Sequence, residues 1–326
     1  MGLFKKRAGE KRRRIKVLFA TDLHGSEHTF GKLLGALQAW RPDAIVVGGD
    51  VAGKGLMPIH VEGGGARVRW MGEEHEVALD ELPEYERLGS QLGFYPYRGS
   101  ADELQALHDD GAHAEEVFDR LMYERWERWI ERLEARCAEL RVPAYLIAGN
   151  DDPWNLDELT FAEREWTHGA DGRVLPLNDD WTLISCGLAN ETPWQCPRDV
   201  PEEKLAAELD ALAGQAGDFT SVIANIHVPP HGSSLDIAPE LDTSVSPPRA
   251  IAGSTASVGS RAVASFLADR QPLLSLHGHI HESPGAVEIG RTKAINPGSE
   301  YAEGVLRAVL VTLEPERVVG HQFVTG

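Results

Sequence analysis

Past its first residues the chain alternates short, almost unbroken apolar runs with longer stretches whose apolar residues recur every three or four positions. Ile15–Ala20 (IKVLFA) is the first such run, and its near-continuous apolar character predicts a strand buried on both faces. Residues 29–40 place Phe30, Leu33, Leu34 and Leu37 at helical spacing, and residues 43–47 form a second buried run. A strand, a helix and a strand in that order predict a βαβ unit and an α/β fold. Residues 57–79 then read as short strands around Gly63, Gly64 and Gly65, a hairpin inserted at the rim. Residues 81–99 are mixed, with Phe94, Tyr95 and Tyr97 clustered. A long amphipathic helix is predicted over about 114–140, with Val117, Leu121, Trp126, Trp129, Ile130, Leu133, Cys137 and Leu140 as its apolar stripe. Its tryptophans read as core.

After Pro143 a third buried strand covers 144–148, and residues 174–177 and 181–187 predict a hairpin turning at Asn178, Asp179 and Asp180. A helix over 201–212 leads to a strand over 221–226. Residues 235–259, rich in Pro, Ser, Thr and Gly, read as a long loop. A helix over 261–270 precedes the apolar run 273–276, and strands over 305–313 and 318–324 close the chain. A length of 326 residues suggests about two domains as a prior. The residues of chemical interest run from Asp22 to His281, however, so we expect one domain over 15–326 with an insertion at about 56–113.

Composition narrows the class. Hydrophobic content of 42% supports a packed core, and no apolar run approaches the roughly 18 residues a membrane span needs. Residues 1–14 carry seven basic residues and one acid, a basic tail expected to be disordered, with none of the apolar core of a signal peptide behind it. The net charge of −19 therefore leaves the body near −25, which repels polyanions and argues against extended nucleic-acid binding. Cys137, Cys186 and Cys196 are odd in number and lack CxxC spacing, which argues against a disulfide framework or zinc knuckle and fits a reduced cytoplasm.

Five predicted strand ends deliver ligand-type side chains: Asp22 with His24, Asp50, Asn150, His227, and His279 with His281. Ligands gather at such ends in open α/β sheets. Carboxylate, amide and imidazole donors without thiolate suit Mn²⁺, Fe, Zn²⁺, Co²⁺ or Ni²⁺, with Mn²⁺ favoured here. Seven such groups exceed one ion's needs and suit a pair of cations sharing a carboxylate, the arrangement that clamps in-line phosphoryl displacement. One decoy drops out: Gly48, Gly53 and Lys54 nearly spell a P-loop, but Gly55 stands where a Ser or Thr should bind Mg²⁺.

The ordered set D-x-H, G-D, G-N, lone H and G-H-x-H resembles the calcineurin-like metallophosphoesterase superfamily, and it covers nearly the whole chain after the tail. The resemblance implies a four-layer αββα sandwich of two mixed β-sheets flanked by helices. It also implies that Asp22, His24 and His281 hold one cation, that Asn150, His227 and His279 hold the other, and that Asp50 bridges them. A water shared by the cations would then attack phosphorus in line as hydroxide. The third motif departs from the family's usual G-N-H-D or G-N-H-E, whose His is held to protonate the leaving oxygen or steady the transition state. Here it reads Gly149–Asn150–Asp151–Asp152.

An aspartate is ionised at neutral pH and is a poor proton donor, so Asp151 is expected to be structural or to orient water or a further cation. His231 and His28 are the candidate substitutes by proximity to ligand segments, His231 being taken as the catalytic one alongside Asp50, Asn150 and Asp151. Asp152 is expected to support the neighbouring turn, Lys54 to be solvated or to meet substrate phosphate, and Asn296–Ser299 to be a structural turn. The motif stands nearer the superfamily's small-molecule phosphodiesterase branches than its protein phosphatases. The expected activity is hydrolysis of a small phosphodiester or nucleotide, with 56–113 as a selecting lid. Phosphomonoesterase or pyrophosphohydrolase activity is the alternative, and a catalytically silent scaffold is the competing reading.

Overall fold

In the computed structural model, which describes residues 14–326, the first apolar run forms β1 (Ile15–Ala20), followed by α1 (Glu27–Trp40) and β2 (Ala44–Gly48). Next come β3 (Gly55–Glu62), β4 (Gly65–Trp70), β5 (Glu73–Ala78), α2 (Leu82–Gln91), β6 (Phe94–Gly99) and α3 (Ala101–Asp109). The first half closes with α4 (Gly111–Leu140), β7 (Ala144–Ile147), α5 (Leu156–Thr160) and β8 (Thr167–Gly169). Then follow β9 (Arg173–Pro176), β10 (Thr182–Cys186), β11 (Ala189–Asn190), β12 (Asp199–Val200), α6 (Glu202–Ala213) and β13 (Val222–Ile226). The remainder is β14 (Ile237–Asp242), β15 (Arg249–Ser257), α7 (Arg261–Arg270) and β16 (Leu274–Leu276). It ends in β17 (Gly285–Ile289), β18 (Thr292–Asn296), β19 (Arg307–Glu314) and β20 (Arg317–Thr325).

Two six-stranded mixed sheets organise these elements, in the orders β20-β19-β1-β2-β7-β8 and β17-β18-β16-β13-β10-β9. Strand parity decides the layers, because successive side chains leave a strand on opposite faces. In β1, Leu18 and Ala20 join the apolar cluster with Phe30 of α1 and Trp126 and Trp129 of α4. Val17 and Phe19 point the other way, into a cluster with Leu183, Ile223, Leu274 and Ile295 of the second sheet. Val222, Ala224 and Ile226 of β13 pack outward against Leu205 of α6 and Phe266 of α7. Helices, sheet, sheet, helices: the four-layer order follows from which residues of each strand are apolar. Each fully buried Leu, Ile or Phe on these faces contributes about 1.5–3 kcal/mol.

Between β2 and α4 the chain builds a separate four-stranded sheet, β5-β4-β3-β6, with its own apolar cluster of Met57, Ile59, Ala66, Val68, Val77 and Leu82. This is larger than the expected hairpin, because β6 returns parallel to β3. The expected loop over 235–259 is instead the antiparallel hairpin β14–β15. Its residues are mostly exposed, so no apolar alternation marked it as strand. The β17–β18 hairpin at the edge of the second sheet was unmarked for the same reason, β17 being only partly buried. Helix α4 starts at Gly111, where Asp110 caps it by accepting from Ala112 and His113 N–H. Within its stripe Leu121 and Leu140 are only half-buried, while Met122 and Arg125 are buried. The basic tail lies outside the described residues except for Arg14, which pairs with Glu314 at 2.8 Å. No helix among the described residues is long and apolar enough to cross a membrane.

Candidate metal centre

Register brings the five segments together. β1, β2 and β7 run parallel, with Ala20 opposite Val47 and Gly48 opposite Ile147, so Asp22, Asp50 and Asn150 leave the first sheet at one rim. β13 and β16 are parallel in the second sheet, with Asn225 opposite Leu276, and they deliver His227 and His279 to that rim. The chain turns sharply there. Asp22, His24, Asp50 and His279 have φ of 54°, 40°, 50° and 66°, left-handed conformations that cost roughly 1–2 kcal/mol each without glycine. Four such residues gathered at one rim make it a candidate functional site.

The side chains form adjoining clusters: Asp22, His24 and His281; Asp50, His227 and His279; and His24, Asp50 and Asp151, with donor atoms inside each within 4.8 Å of one another. In the first, the Nε2 atoms of His24 and His281 face each other at 3.1 Å, and His281 Nε2 stands 3.2 Å from Asp22 Oδ1. In the second, Asn150 Oδ1 lies 3.1 Å from His227 Nε2 and 2.8 Å from His279 Nδ1. Asp50 spans both, Oδ2 being 3.7 Å from His24 Nε2 and Oδ1 3.4 Å from His227 Nε2. Glycine permits this closeness: a Cβ at Gly149 would stand 2.1 Å from Asp50 Oδ1, and one at Gly278 2.2 Å from Asp22 Oδ2. Convergent imidazole lone pairs and carboxylates fit divalent cations.

Backbone partners orient the donors. His24 Nδ1 donates to Ala52 O at 3.3 Å and His227 Nδ1 to Gly48 O at 2.8 Å, leaving each Nε2 as the free donor atom. Asp22 accepts from Thr21 Oγ1 at 2.7 Å and from His279 N. Asp152 accepts from Gly149, Val51 and Ala52 N–H, tying the Asp50 turn to the Asn150 turn. Asn296 Nδ2 donates to Ile280 O at 2.8 Å and Ser299 Oγ to Asp22 O at 2.7 Å, so the end of β18 braces the GHIH turn and the residues after it brace the Asp22 turn. His277 points away, to Ser275 Oγ and the Ile226 carbonyl.

Sequence reasoning missed Asp199 and Arg198. Asp199 Oδ1 accepts from Asn150 Nδ2 at 3.0 Å, which turns the amide oxygen toward the imidazoles. Arg198 donates from N to Asn150 O at 3.1 Å and from Nε to Asp152 O at 2.9 Å. Nothing in their local sequence signals this, because both contacts reach back across about fifty residues.

Burial holds His24 well below its ordinary pKa and pushes His279 down to about 3, so both keep unprotonated nitrogens. Burial is the largest influence on His227 too, yet the charge and hydrogen bond of Asp50, the charge of Asp22 and the Gly48 carbonyl together overcome it and lift the imidazole to about 10. Burial likewise opposes ionisation of Asp22, but the hydrogen bond and charge of His281 hold it below the usual carboxylate range. The positive charge these acids draw onto imidazole is charge a divalent cation would supply instead.

Asp151 pairs through Oδ2 with Lys54 Nζ at 2.7 Å and accepts at Oδ1 from Cys196 Sγ at 2.8 Å. Lys54 is half-exposed, at the open side of the clusters. Burial acts to raise Asp151, yet the Lys54 ammonium keeps its carboxyl well below the ordinary range, so it is ionised. The structure brings neither of the other candidates into the clusters. His231 stands beside Asp236, Nδ1 to Oδ2 being 3.8 Å, and His28 packs near Gly304.

The model of the calcineurin-like phosphoesterase family matches residues 15–283. One solved structure is 18% identical, covering 96% of this chain and 99% of its own at a TM-score of 0.57. TT1561 of Thermus thermophilus is 12% identical, with 96% and 99% covered and a TM-score of 0.53. A dimetal phosphatase from Danio rerio is 10% identical, with 95% and 98% covered and a TM-score of 0.46. At such identities a likeness speaks of fold alone, and no curated protein matches at a significant level. The family match is of another kind, since its span takes in every candidate ligand from Asp22 to His281. The chain belongs to the calcineurin-like phosphoesterase family.

Proposed function

We propose that this protein is a dinuclear metal-dependent phosphoesterase that hydrolyses a small phosphodiester or nucleotide. Family membership supports the coarser part, a phosphoric ester hydrolase. In this reading Asp22, His24 and His281 hold one cation, Asn150, His227 and His279 hold the other, and Asp50 serves both. The observation that carries it is the placement of Asp50, with Oδ2 3.7 Å from His24 Nε2 and Oδ1 3.4 Å from His227 Nε2. When bound, the cations supply Lewis acidity at the phosphoryl oxygens and an activated water for in-line displacement. We take Mn²⁺ as the favoured ion for an oxygen and nitrogen donor set without thiolate.

The chain's own residues divide the remaining work. Asp199 and Asp152 keep the Asn150 turn in place. Lys54, held by Asp151, offers a fixed positive charge to substrate phosphate at the open side of the clusters. Asp151 is ionised and cannot serve as the acid, so we assign the leaving group's proton to solvent rather than to His231. We place the protein in the cytoplasm, where its three free cysteines stay reduced.

The test is hydrolysis of bis-p-nitrophenyl phosphate against p-nitrophenyl phosphate by Mn²⁺-reconstituted protein, with a chelated control and Asp50→Asn. Metal-dependent cleavage that favours the diester and disappears in Asp50→Asn is the expected result. A monoester preference replaces the diester assignment. Protein that holds two Mn²⁺ ions and turns over neither ester would overturn the enzymatic reading in favour of a scaffold.

A further inference from the structure

Arg125 occupies a place where the helical pattern of α4 calls for an apolar residue, and it is 4% exposed. Its Nη1 donates to Gly25 O at 2.7 Å and its Nη2 to Phe94 O at 2.8 Å and Ser90 Oγ at 3.5 Å. The guanidinium lies over the Tyr95 ring, 3.8 Å from its centre. Its acceptors are carbonyls and a hydroxyl, and its Nε has no hydrogen-bond partner among the described residues. Burying such a charge opposes folding, so its contacts must achieve something an apolar side chain would not.

Those contacts join the four-stranded sheet to the metal rim. Gly25 directly follows His24, while Phe94 and Tyr95 begin β6. The Tyr95 hydroxyl accepts from Gly53 N at 3.0 Å, three residues beyond Asp50. Ser26 Oγ donates to Gln91 O at 2.5 Å. The backbones nearly touch: a Cβ at Gly53 would stand 2.1 Å from Gly93 O, and one at Gly93 2.2 Å from His24 O. Residues 91–95 therefore press on the backs of two turns, those that hold His24 and Asp50 in left-handed conformations. Such conformations persist only where the surroundings over-determine them.

We propose that this sheet is a brace for the metal centre, with Arg125 as the positioning residue that locks 91–95 onto the His24 and Asp50 turns. The proposal rests on the metal-binding reading above. Cation binding and closure of the sheet onto the rim are then linked, each stabilising the other. Loss of the lock weakens cation binding by about 10- to 100-fold, as for other outer partners of metal ligands.

The experiment titrates Mn²⁺ into chelator-stripped full-length protein by calorimetry and follows amide exchange over residues 91–99 with and without Mn²⁺. Wild type, Arg125→Met, Arg125→Lys and Tyr95→Phe are compared, with thermal unfolding as the check on folding. The expected result is that Mn²⁺ slows exchange over 91–99 in wild type. Arg125→Met binds Mn²⁺ about 10- to 100-fold more weakly and loses that protection, while Arg125→Lys, which keeps the charge, recovers part of both. Tyr95→Phe, which removes only the hydroxyl on Gly53, shifts both in the same direction and serves where Arg125→Met does not fold. Wild type that binds two Mn²⁺ ions while every folded variant binds as tightly overturns the brace alone. Wild type that binds none overturns the metal reading and the brace with it.

Discussion

Gly149→Ala adds one methyl group beside Asp50, where the clusters of candidate ligands meet. The Gly149 φ is not in the left-handed region, so alanine meets no conformational penalty and the effect is steric. The new Cβ would stand 2.1 Å from Asp50 Oδ1 and 2.4 Å from Asp50 N, where ordinary contact begins at 3.4 Å. No flexible side-chain end is available to yield. Asp50 N belongs to a buried turn, and Asp50 Oδ1 is fixed by the Asp151 N–H at 3.0 Å. The shared carboxylate therefore moves by about 1 Å, a misplacement that costs about 100-fold in turnover. Overpacking costs about 1–3 kcal/mol in stability as well. Gly35→Ala is the control, the same chemical change in the middle of α1 with nothing within 4 Å of the added Cβ. It should stabilise the protein by about 0.5–1 kcal/mol and leave turnover alone. Urea unfolding, Mn²⁺ titration and ester hydrolysis of the two variants decide the matter. Gly149→Ala with wild-type Mn²⁺ affinity and turnover would refute the placement of Asp50 between the two ions.

Three further outcomes are expected. Lys54→Met should raise KM for a phosphate ester by about tenfold with a smaller change in kcat, since a charge-assisted contact at a half-exposed site is lost; an unchanged KM removes Lys54 from substrate binding. Asp199→Ala frees the Asn150 amide to rotate and should weaken one of two Mn²⁺ sites by about 10- to 100-fold while sparing the other, which calorimetry resolves as two unequal steps. Burial pushes Asp171 up to about 6 from an ordinary 3.8, so between those pH values the folded state keeps a proton that the unfolded chain releases. Stability therefore falls as pH rises through that window, by up to about 3 kcal/mol, and Asp171→Asn should remove the slope; urea unfolding at pH 4 and pH 7 with a parallel wild type and variant would count against it.

The candidate ligands were legible because each sits just past a run that reads as a buried strand. Parallel register alone carries Asp22, Asp50 and Asn150 to one rim. Local pattern therefore held the fold class and named the side chains that converge at this rim. It failed where a residue's role depends on distant chain. His231 is four residues from His227, yet it stands beside Asp236 and outside the clusters of candidate ligands. Asp199, 49 residues beyond Asn150, holds its amide. Exposed strands such as β14 and β15 leave no alternation to read, because backbone pairing and not burial holds them.

Arg125 is the sharpest case. Helical spacing predicts that a charge in the stripe of α4 should be exposed or absent, and its burial becomes intelligible only when Gly25 and Phe94 are seen on either side of it. The same holds for the ligand conformations. Asp and His tolerate a positive φ better than most side chains, yet Asp22, His24, Asp50 and His279 would each adopt one only rarely in an isolated peptide. Their geometry must be imposed by contacts made elsewhere, with Asp152 securing the Asp50 turn from one side and the 91–95 segment from the other. A motif thus names the donors, whereas the strained shape that lets them converge belongs to the packing around them, and substitutions there should change cation affinity without touching a ligand.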